Sequence, residues 1–369
     1  MNKKIKVLHT EWSDGWGGQE IRIINEMLAL REKGVEVFLA CRDHAKIKEK
    51  AIQNNIKIFT LPFKGSFDIK TILALKKIIK RHKIDIINTH SGKDSWVGGF
   101  AAKLSGIKFI RTRHLSNTIN PSRFNFVNEM ADFIFTTGES VRKSMIEHNR
   151  INSTKILSIP TGIDETVFDP IKFDKFECRK IFDIKDNEIA IGIIAVLRKF
   201  KRHDVFVSVA KQLIKKYPEL KLKFLIAGDG PQKDFIKNLI KEHKLEKKIF
   251  MLGHINNTAE FLSAIDIFTL TSDSNEGVPQ SVMQALLMNK PTVATDAGST
   301  KDLLDEDSFS LIKPTENIDI MLNELSILIY LIKNKKIVPK DTRSHIIKQF
   351  SKNTMRDKIY NTYIKLLEK

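Results

Sequence analysis

"IDIFTLTSDSNEGVPQSVMQALLMNKP", residues 265–291, decides how the rest of the chain is read. The apolar run Ile265–Leu270 reads as a strand, and a polar loop follows it to Val278. Pro279 suits the first turn of a helix, where its missing N–H costs nothing. That helix is predicted to run through Met288, with Asn289 as its cap and Pro291 preventing continuation. Strand, loop and helix in this order make one unit of a parallel sheet covered by helices. In open sheets of that kind, ligands sit beyond the carboxyl ends of the strands. The loop and helix mouth, at Gly277, Val278, Pro279, Gln280 and Ser281, therefore face a ligand. The N–H groups of such a first turn favour an anion by about 0.3–1 kcal/mol when exposed. Glu276 would repel a phosphate beside it, but as a pure acceptor it suits hydroxyl groups lying past the phosphate. A phosphate followed by a polyol is a nucleotide sugar. The alternative is that Glu276 only supports the helix dipole, and spacing alone leaves the two readings even.

The same unit recurs outward in both directions. Strands are predicted at 5–10, 35–41, 56–61, 84–90, 108–114 and 132–138, and again at 189–197, 222–227, 248–252, 266–270 and 291–295, with helices between. The segment "SIPTGIDETVFDP" (158–170) carries Pro, Gly and Asp without periodicity and reads as a linker. From about Lys352 to Leu367, the residues Met355, Ile359, Tyr363, Ile364 and Leu367 recur at helical spacing. At 369 residues the chain fits two domains. The expectation is an α/β chain of two Rossmann-like domains facing across a cleft. Residues 1–165 form the first, with the tail helix 351–369 packing back on it, and 166–350 form the second.

Composition adds limits. The N-terminus shows no secretory pattern and the apolar runs are too short to span a bilayer, so a cytoplasmic protein is expected. Cys41 and Cys178 form no metal or redox pattern. The net charge is +18 with pI near 9.6. Nucleic acid lacks a reading element, since no zinc finger, RNP signature or helix-turn-helix is evident. The stretch "LKKIIKRHK" (75–83), within 72–83, reads as a basic amphipathic helix. It could lie on the anionic inner face of a membrane; a solvated face over a buried stripe is at least as well supported. Surplus lysine from a biased genome would also account for the charge.

At this point a resemblance becomes specific. "EGVPQSVMQA" (276–285) resembles the E-x7-E signature of retaining glycosyltransferases of family 4, which have the GT-B fold. It matches at Glu276 and departs at Gln284, where the family commonly has a ribose-binding Glu. "AVLRKFKRHD" (195–204) resembles the family's Arg/Lys pair that holds the donor diphosphate. Lys201 is in the lysine place, Val196 stands where an Arg is usual, Arg198 comes two residues later, and Arg202 replaces a common glycine. "IAGDGPQKDFI" (226–236) matches a Gly-x-Gly-Pro turn and places Gly230 there. "LGHINNTAEFLSAIDIF" (252–268) resembles the base-cradling segment and nominates Ile255. "DGWGGQE" (14–20) looks like the family's Gly-Gly loop, at Gly17 and Gly18. His114, ending a strand, matches a histidine set near the donor sugar; His90, ending the neighbouring strand, reads as structural. "DED" (305–307) reads as solvated surface.

The resemblance implies a retaining transferase that moves a sugar from a nucleoside-diphosphate donor to a lipopolysaccharide, lipid-linked or polysaccharide acceptor. It implies no further cofactor and no metal. Glu276, His114, Arg198 and Lys201 are the expected catalytic set. Two rivals are weighed: an epimerase acting on a nucleotide sugar within the same fold, and, ranked behind it, a basic nucleic-acid-binding protein.

Overall fold

The structure is a computed structural model and describes residues 4–114, 126–273, 276–303, 310–312, 318–336 and 341–368. Ser274 and Asn275 of the decisive loop, and the acidic triplet 305–307, lie outside the described residues. The chain divides into two compact units, residues 1–162 with 350–369, and residues 163–349.

In the N-terminal unit the strands are β1 (Lys6–Glu11), β2 (Glu36–Cys41), β3 (Lys57–Thr60), β4 (Ile86–Thr89), β5 (Lys108–Arg113), β6 (Phe133–Thr136) and β7 (Ile156–Ser158). Between them lie α1 (Gly18–Glu32), α2 (Lys46–Gln53), α3 (Ile69–His82), α4 (Gly92–Ser105), α5 (Val127–Met130) and α6 (Glu139–Glu147). The sheet is parallel, in the order β3-β2-β1-β4-β5-β6-β7. Strands buried on both faces read as near-continuous apolar runs, and β2 is buried at every position after Glu36. One face packs under α1 and α2, the other under α3 and α4.

The C-terminal unit holds α7 (Lys175–Ile181), β8 (Ile189–Ile194), α8 (His203–Lys216), β9 (Leu222–Ala227), α9 (Lys233–Glu242), β10 (Ile249–Gly253), α10 (Thr258–Ala264), β11 (Ile267–Leu270), α11 (Gln280–Leu287), β12 (Thr292–Thr295), β13 (Ser310–Ile312), α12 (Asp319–Lys333) and most of α13 (Thr342–Phe350). Its sheet is also parallel, in the order β10-β9-β8-β11-β12-β13. The last helix, α14 (Lys352–Leu367), belongs to the N-terminal unit. Its Met355, Ile359 and Tyr363 are buried with Ile23, Met27 and Leu30 of α1, whereas Leu367 is exposed.

In each sheet the strand order reverses once, between β1 and β4 and between β8 and β11. A crevice opens at such a reversal, because the connections on either side leave in opposite directions. The residues following those four strands are therefore the ones the topology offers to a ligand.

Three differences from the sequence reading have local causes. The strand predicted over 189–197 stops at Ile194. Beyond it Ala195 donates to Ala227 O (3.0 Å) and Leu197 to Asp229 O (3.1 Å), a loop pressed against the Gly228–Gly230 turn rather than a strand. The helix after Pro279 ends at Leu287, and Asn289 sits beyond the cap at φ 50°. β7 and β13 are three residues each, too short for a period to register.

Candidate active site

The C-terminal crevice is built from the loops after β8 and β11. Lys201 comes from the first and Glu276 from the second, and they form an ion pair between Nζ and Oε1. Both are largely buried, with side chains 14% and 8% exposed. Ser272 Oγ donates to the same Oε1 at 2.5 Å. Oε2 has no partner among the described residues. Lys201 is held from behind, since its carbonyl accepts from Thr271 Oγ1 (2.7 Å) and Phe200 O accepts from Asp273 N (2.9 Å). Gly298 closes the cradle. It lies at φ +61°, and a Cβ there would come within 1.8 Å of the Glu276 carbonyl oxygen. Only glycine allows the loop after β12 to lie against Glu276.

α11 begins where the sequence placed it. Pro279 is the N-cap residue, at φ −70° and ψ 117°, and Gln280 opens the helix. The N–H groups of a first turn have no acceptor within their own helix. Gln280 and Gln284, one turn apart, share a face; the Gln280 Nε2 amide is buried without a partner among the described residues. Val278 is buried, while Gly277, Ser281 and Ile255 are partly exposed.

Arg198 forms no ion pair with Glu276 among the described residues. It is exposed and lines a separate cavity of about 460 Å³ with Lys199, Arg202, His203, Gln232 and Phe235. Val196 is 52% exposed. Arg202 adopts φ 51° and ψ 47°, the left-handed conformation, which explains why a glycine is usual there. Its guanidinium is held by Asp204 (3.0 Å) and Asp273 (3.6 Å). His203 beneath it is buried, neither ring nitrogen has a partner among the described residues, and burial, with Lys201 nearby, lowers its pKa to about 4. Gly230 shapes backbone: at φ +157° a Cβ would meet Leu197 N and O at 2.8 Å.

The N-terminal crevice is a cavity of about 360 Å³ beyond β1 and β4. Trp12, Gln19, His90, Lys93, Arg111, Arg113 and His114 are among its lining residues. Burial lowers the Arg111 and Arg113 pKa values to about 10, which leaves both cationic at neutral pH. Lys93 Nζ lies 4.0 Å from the centre of the Trp12 ring. Gly17 caps α1 and donates to Glu20 Oε2 at 2.8 Å. A Cβ on Gly18 would meet nothing within 4 Å, so packing does not demand glycine there and the backbone stays open to approach.

Beneath this cavity lies a polar layer of which the sequence reading named His114 and His90 but not His9 or Glu11. His114 Nε2 contacts His90 Nδ1 at 2.9 Å, and His90 Nε2 contacts His9 Nδ1 at 2.9 Å. Burial pushes the pKa values of His9 and His114 down to about 3, that of His114 with help from the Arg22 charge. Glu11 ends β1 with its pKa raised to about 8, first by burial and then by the neighbouring Asp94 carboxylate. Its Oε1 accepts from Ser13 N (2.6 Å), and its Oε2 lies 2.5 Å from the Gln19 amide. In that contact Gln19 Nε2 donates to the carboxylate, which opposes part of the upward shift. The available signal was the pattern of β1 itself, where His9, Thr10 and Glu11 are polar yet follow Val7 and Leu8 in a strand buried from Val7 onward. Ser272 and Gly298 carried no comparable signal, because a serine or glycine after a strand is ordinary.

Two parallel sheets of these orders, each offering its functional side chains where the strand order reverses, define the GT-B class of enzyme. Two family descriptions match: "Glycosyltransferase Family 4" over residues 16–167 and "Glycosyl transferases group 1" over residues 174–344. The chain belongs to this glycosyltransferase family and is a transferase. It is 24% identical, over 99% of its length and 98% of the other's, to an Escherichia coli UDP-Gal:alpha-D-GlcNAc-diphosphoundecaprenol alpha-1,3-galactosyltransferase. In fold it is similar to a glycosyltransferase from Rickettsia africae ESF-5, with TM-score 0.90, 20% identity and 99% of each chain covered. It is similar also to Anabaena Alr3699/HepE in complex with UDP, with TM-score 0.83, 18% identity and 98% and 100% covered.

Proposed function

We propose that this chain transfers a hexosyl group, with retention, from a nucleoside-diphosphate sugar to a lipid-linked acceptor of cell-envelope glycan synthesis. The observation that carries the donor half is the Lys201–Glu276 pair at the mouth of α11. It sets a cation for a phosphate beside a carboxylate for sugar hydroxyls, in the order in which those groups occur on a nucleotide sugar. Gln280, which opens α11, carries a buried amide nitrogen without a partner among the described residues, and Gln284 is the proposed ribose contact. Uridine is the first base to test, because relatives in sequence and in fold act on or bind UDP compounds.

As the anomeric C–O(phosphate) bond breaks, negative charge grows on the departing diphosphate. Lys201 stabilises it, with Arg198 as the second candidate cation, so the reading calls for no metal. The acceptor hydroxyl forms the new C–O bond on the same face, and its proton passes to the leaving phosphate oxygen. His114 contacts substrate at the N-terminal cavity. Lys93, Arg111 and Arg113 there favour an anionic acceptor, which a diphosphate-linked lipid is and a neutral glycan is not. Contact with an anionic membrane surface through 72–83 belongs to the same reading.

The test is thermal stabilisation by UDP, GDP, ADP and CMP, each with and without magnesium, on the wild type and Glu276→Ala. A ligand at a hundred times its Kd stabilises by about 2.7 kcal/mol. One nucleoside diphosphate should stand out without metal. Sugar transfer should be lost in a folded Glu276→Ala, and full activity in that variant would refute the assignment.

A further inference from the structure

The three histidines under the N-terminal cavity form one linear chain rather than a cluster. His9 and His90 lie edge to edge and nearly coplanar, 10° apart, with ring centres separated by 5.2 Å, and the His90 and His114 ring centres are likewise 5.2 Å apart. Only the two nitrogen–nitrogen contacts of 2.9 Å join the rings. His90 and His114 line the cavity; His9 does not. His9 is fully buried, and its Nε2 has no partner among the described residues.

Counting protons sets the polarity of the chain. Burial holds all three rings neutral, so they share three N–H protons. Each nitrogen–nitrogen contact takes one, which leaves one for an end. If it sits on His9 Nε2, a buried N–H points at nothing, and such orphaned donors are rarer than unmet acceptors. If it sits on His114 Nδ1, every ring carries its proton on Nδ1 and the unmet group at the buried end is only a lone pair.

We propose that His9 and His90 are positioning residues for His114, holding its ring so that Nδ1–H is presented as a fixed hydrogen-bond donor to substrate oxygen. This rests on the reading of His114 as a substrate contact. The chain then commits His114 to donate, rather than to act as a base. His90 serves this role as a link in the chain, not merely as core filling.

The experiment has two arms on the full chain. Nitrogen-15 spectra of histidine-labelled wild type should show His114 with its proton on Nδ1, the minor form of imidazole in water. His9→Leu should mix the two tautomers of His114, and His9→Asn, whose amide can replace the lost donor, should restore the wild-type signature. UDP release from UDP-galactose and UDP-glucose should fall about tenfold in kcat in His9→Leu, with KM little changed, and recover in His9→Asn. A wild-type His114 protonated on Nε2 would overturn the proposal, as would a folded His9→Leu with unchanged kcat and spectra. A His114→Ala variant with full turnover would refute the substrate-contact reading instead, whatever the spectra of the wild type show.

Discussion

At the scale of single residues, the contrast between Glu276 and Gln284 carries the most information. Glu276 is placed by three loops: Lys201 and Ser272 hold its carboxylate, and Gly298 fits against its backbone. Gln284 sits one turn into α11, partly exposed, where an amide keeps an acceptor oxygen but lacks charge. A neutral acceptor contributes about 0.5–1.5 kcal/mol and a charged one about 1.5–3. Gln284→Glu should therefore tighten UDP binding by roughly 1 kcal/mol, about fivefold, with little change in kcat, because the reacting carbon lies on the sugar side. Calorimetric titration with UDP checks this. Weaker binding would mean that Gln284 faces a phosphate rather than a ribose.

Glu11 is the second residue whose state can be read out. Its carboxyl is raised to about 8 in the folded chain from about 4.5. Its stabilising contribution is complete below the lower value and is lost as pH rises through the upper one. Asp94, also raised, acts with the same sign. His9, His90 and His114 are lowered, so they act with the opposite sign, but only below about 6.5. Between pH 6.5 and 8 the carboxyls act alone. Wild type should lose about 2 kcal/mol across that window, and Glu11→Gln should lose much less. All three tryptophans, Trp12, Trp16 and Trp96, lie in the N-terminal unit, so urea unfolding followed by their fluorescence reports on that unit. Equal slopes in the two proteins would show that Glu11 is already ionised at neutral pH.

At the scale of elements, the alternation of strand and helix was legible because buried parallel strands are apolar runs. β9 falls on the predicted 222–227, and α14 runs from Lys352 to Leu367 as read. The reasons that some loops hold their shape were not legible, because they are contacts between distant backbones. The Gly228–Gly230 turn meets Ala195 and Leu197, and Gly298 meets Glu276. Arg198 shows the same limit. Its place in the motif suggested a partner for Lys201, but Lys201 pairs with Glu276, whereas Arg198 lines a cavity with Lys199 and Arg202.

Buried polar ties between elements were also invisible in the sequence. Arg22 and Glu26 on α1 form a fully buried ion pair at 3.2 Å. Arg22 also donates to Ile159 O (2.9 Å), and Asn88 on β4 donates to Glu26 Oε1 (3.1 Å). Removing one member of such a pair leaves an uncompensated buried charge, at a cost of about 3–5 kcal/mol. Glu26→Ala should destabilise the N-terminal unit by that amount in the same fluorescence assay. A loss below about 1 kcal/mol would mean that water enters and replaces the carboxylate.

At the scale of the whole molecule, the charge of +18 raises the question of an anionic counterpart. Among the described residues no helix is long and apolar enough to cross a membrane. α3 buries Thr71, Leu75 and Ile79, the stripe expected of any surface helix. Its other faces are less ordinary. Phe67 just before it is 68% exposed, Ile69 68% and Leu73 53%, and Lys70, Lys77, Lys80 and Arg81 are exposed with them. A merely solvated face would not need three large apolar side chains beside its basic residues, whereas an interfacial helix uses both. Each basic residue near an anionic surface contributes roughly 1 kcal/mol. Replacing Lys77, Lys80 and Arg81 together with Gln should therefore weaken binding to phosphatidylglycerol-containing vesicles by about a hundredfold. UDP binding should be untouched, since these residues lie in the other unit from Lys201 and Glu276. Binding that persists undiminished in the triple variant, or that is equal on neutral phosphatidylcholine vesicles, would return α3 to the status of a solvated helix. The positive charge would then be left to the anionic substrates or to surplus surface lysine.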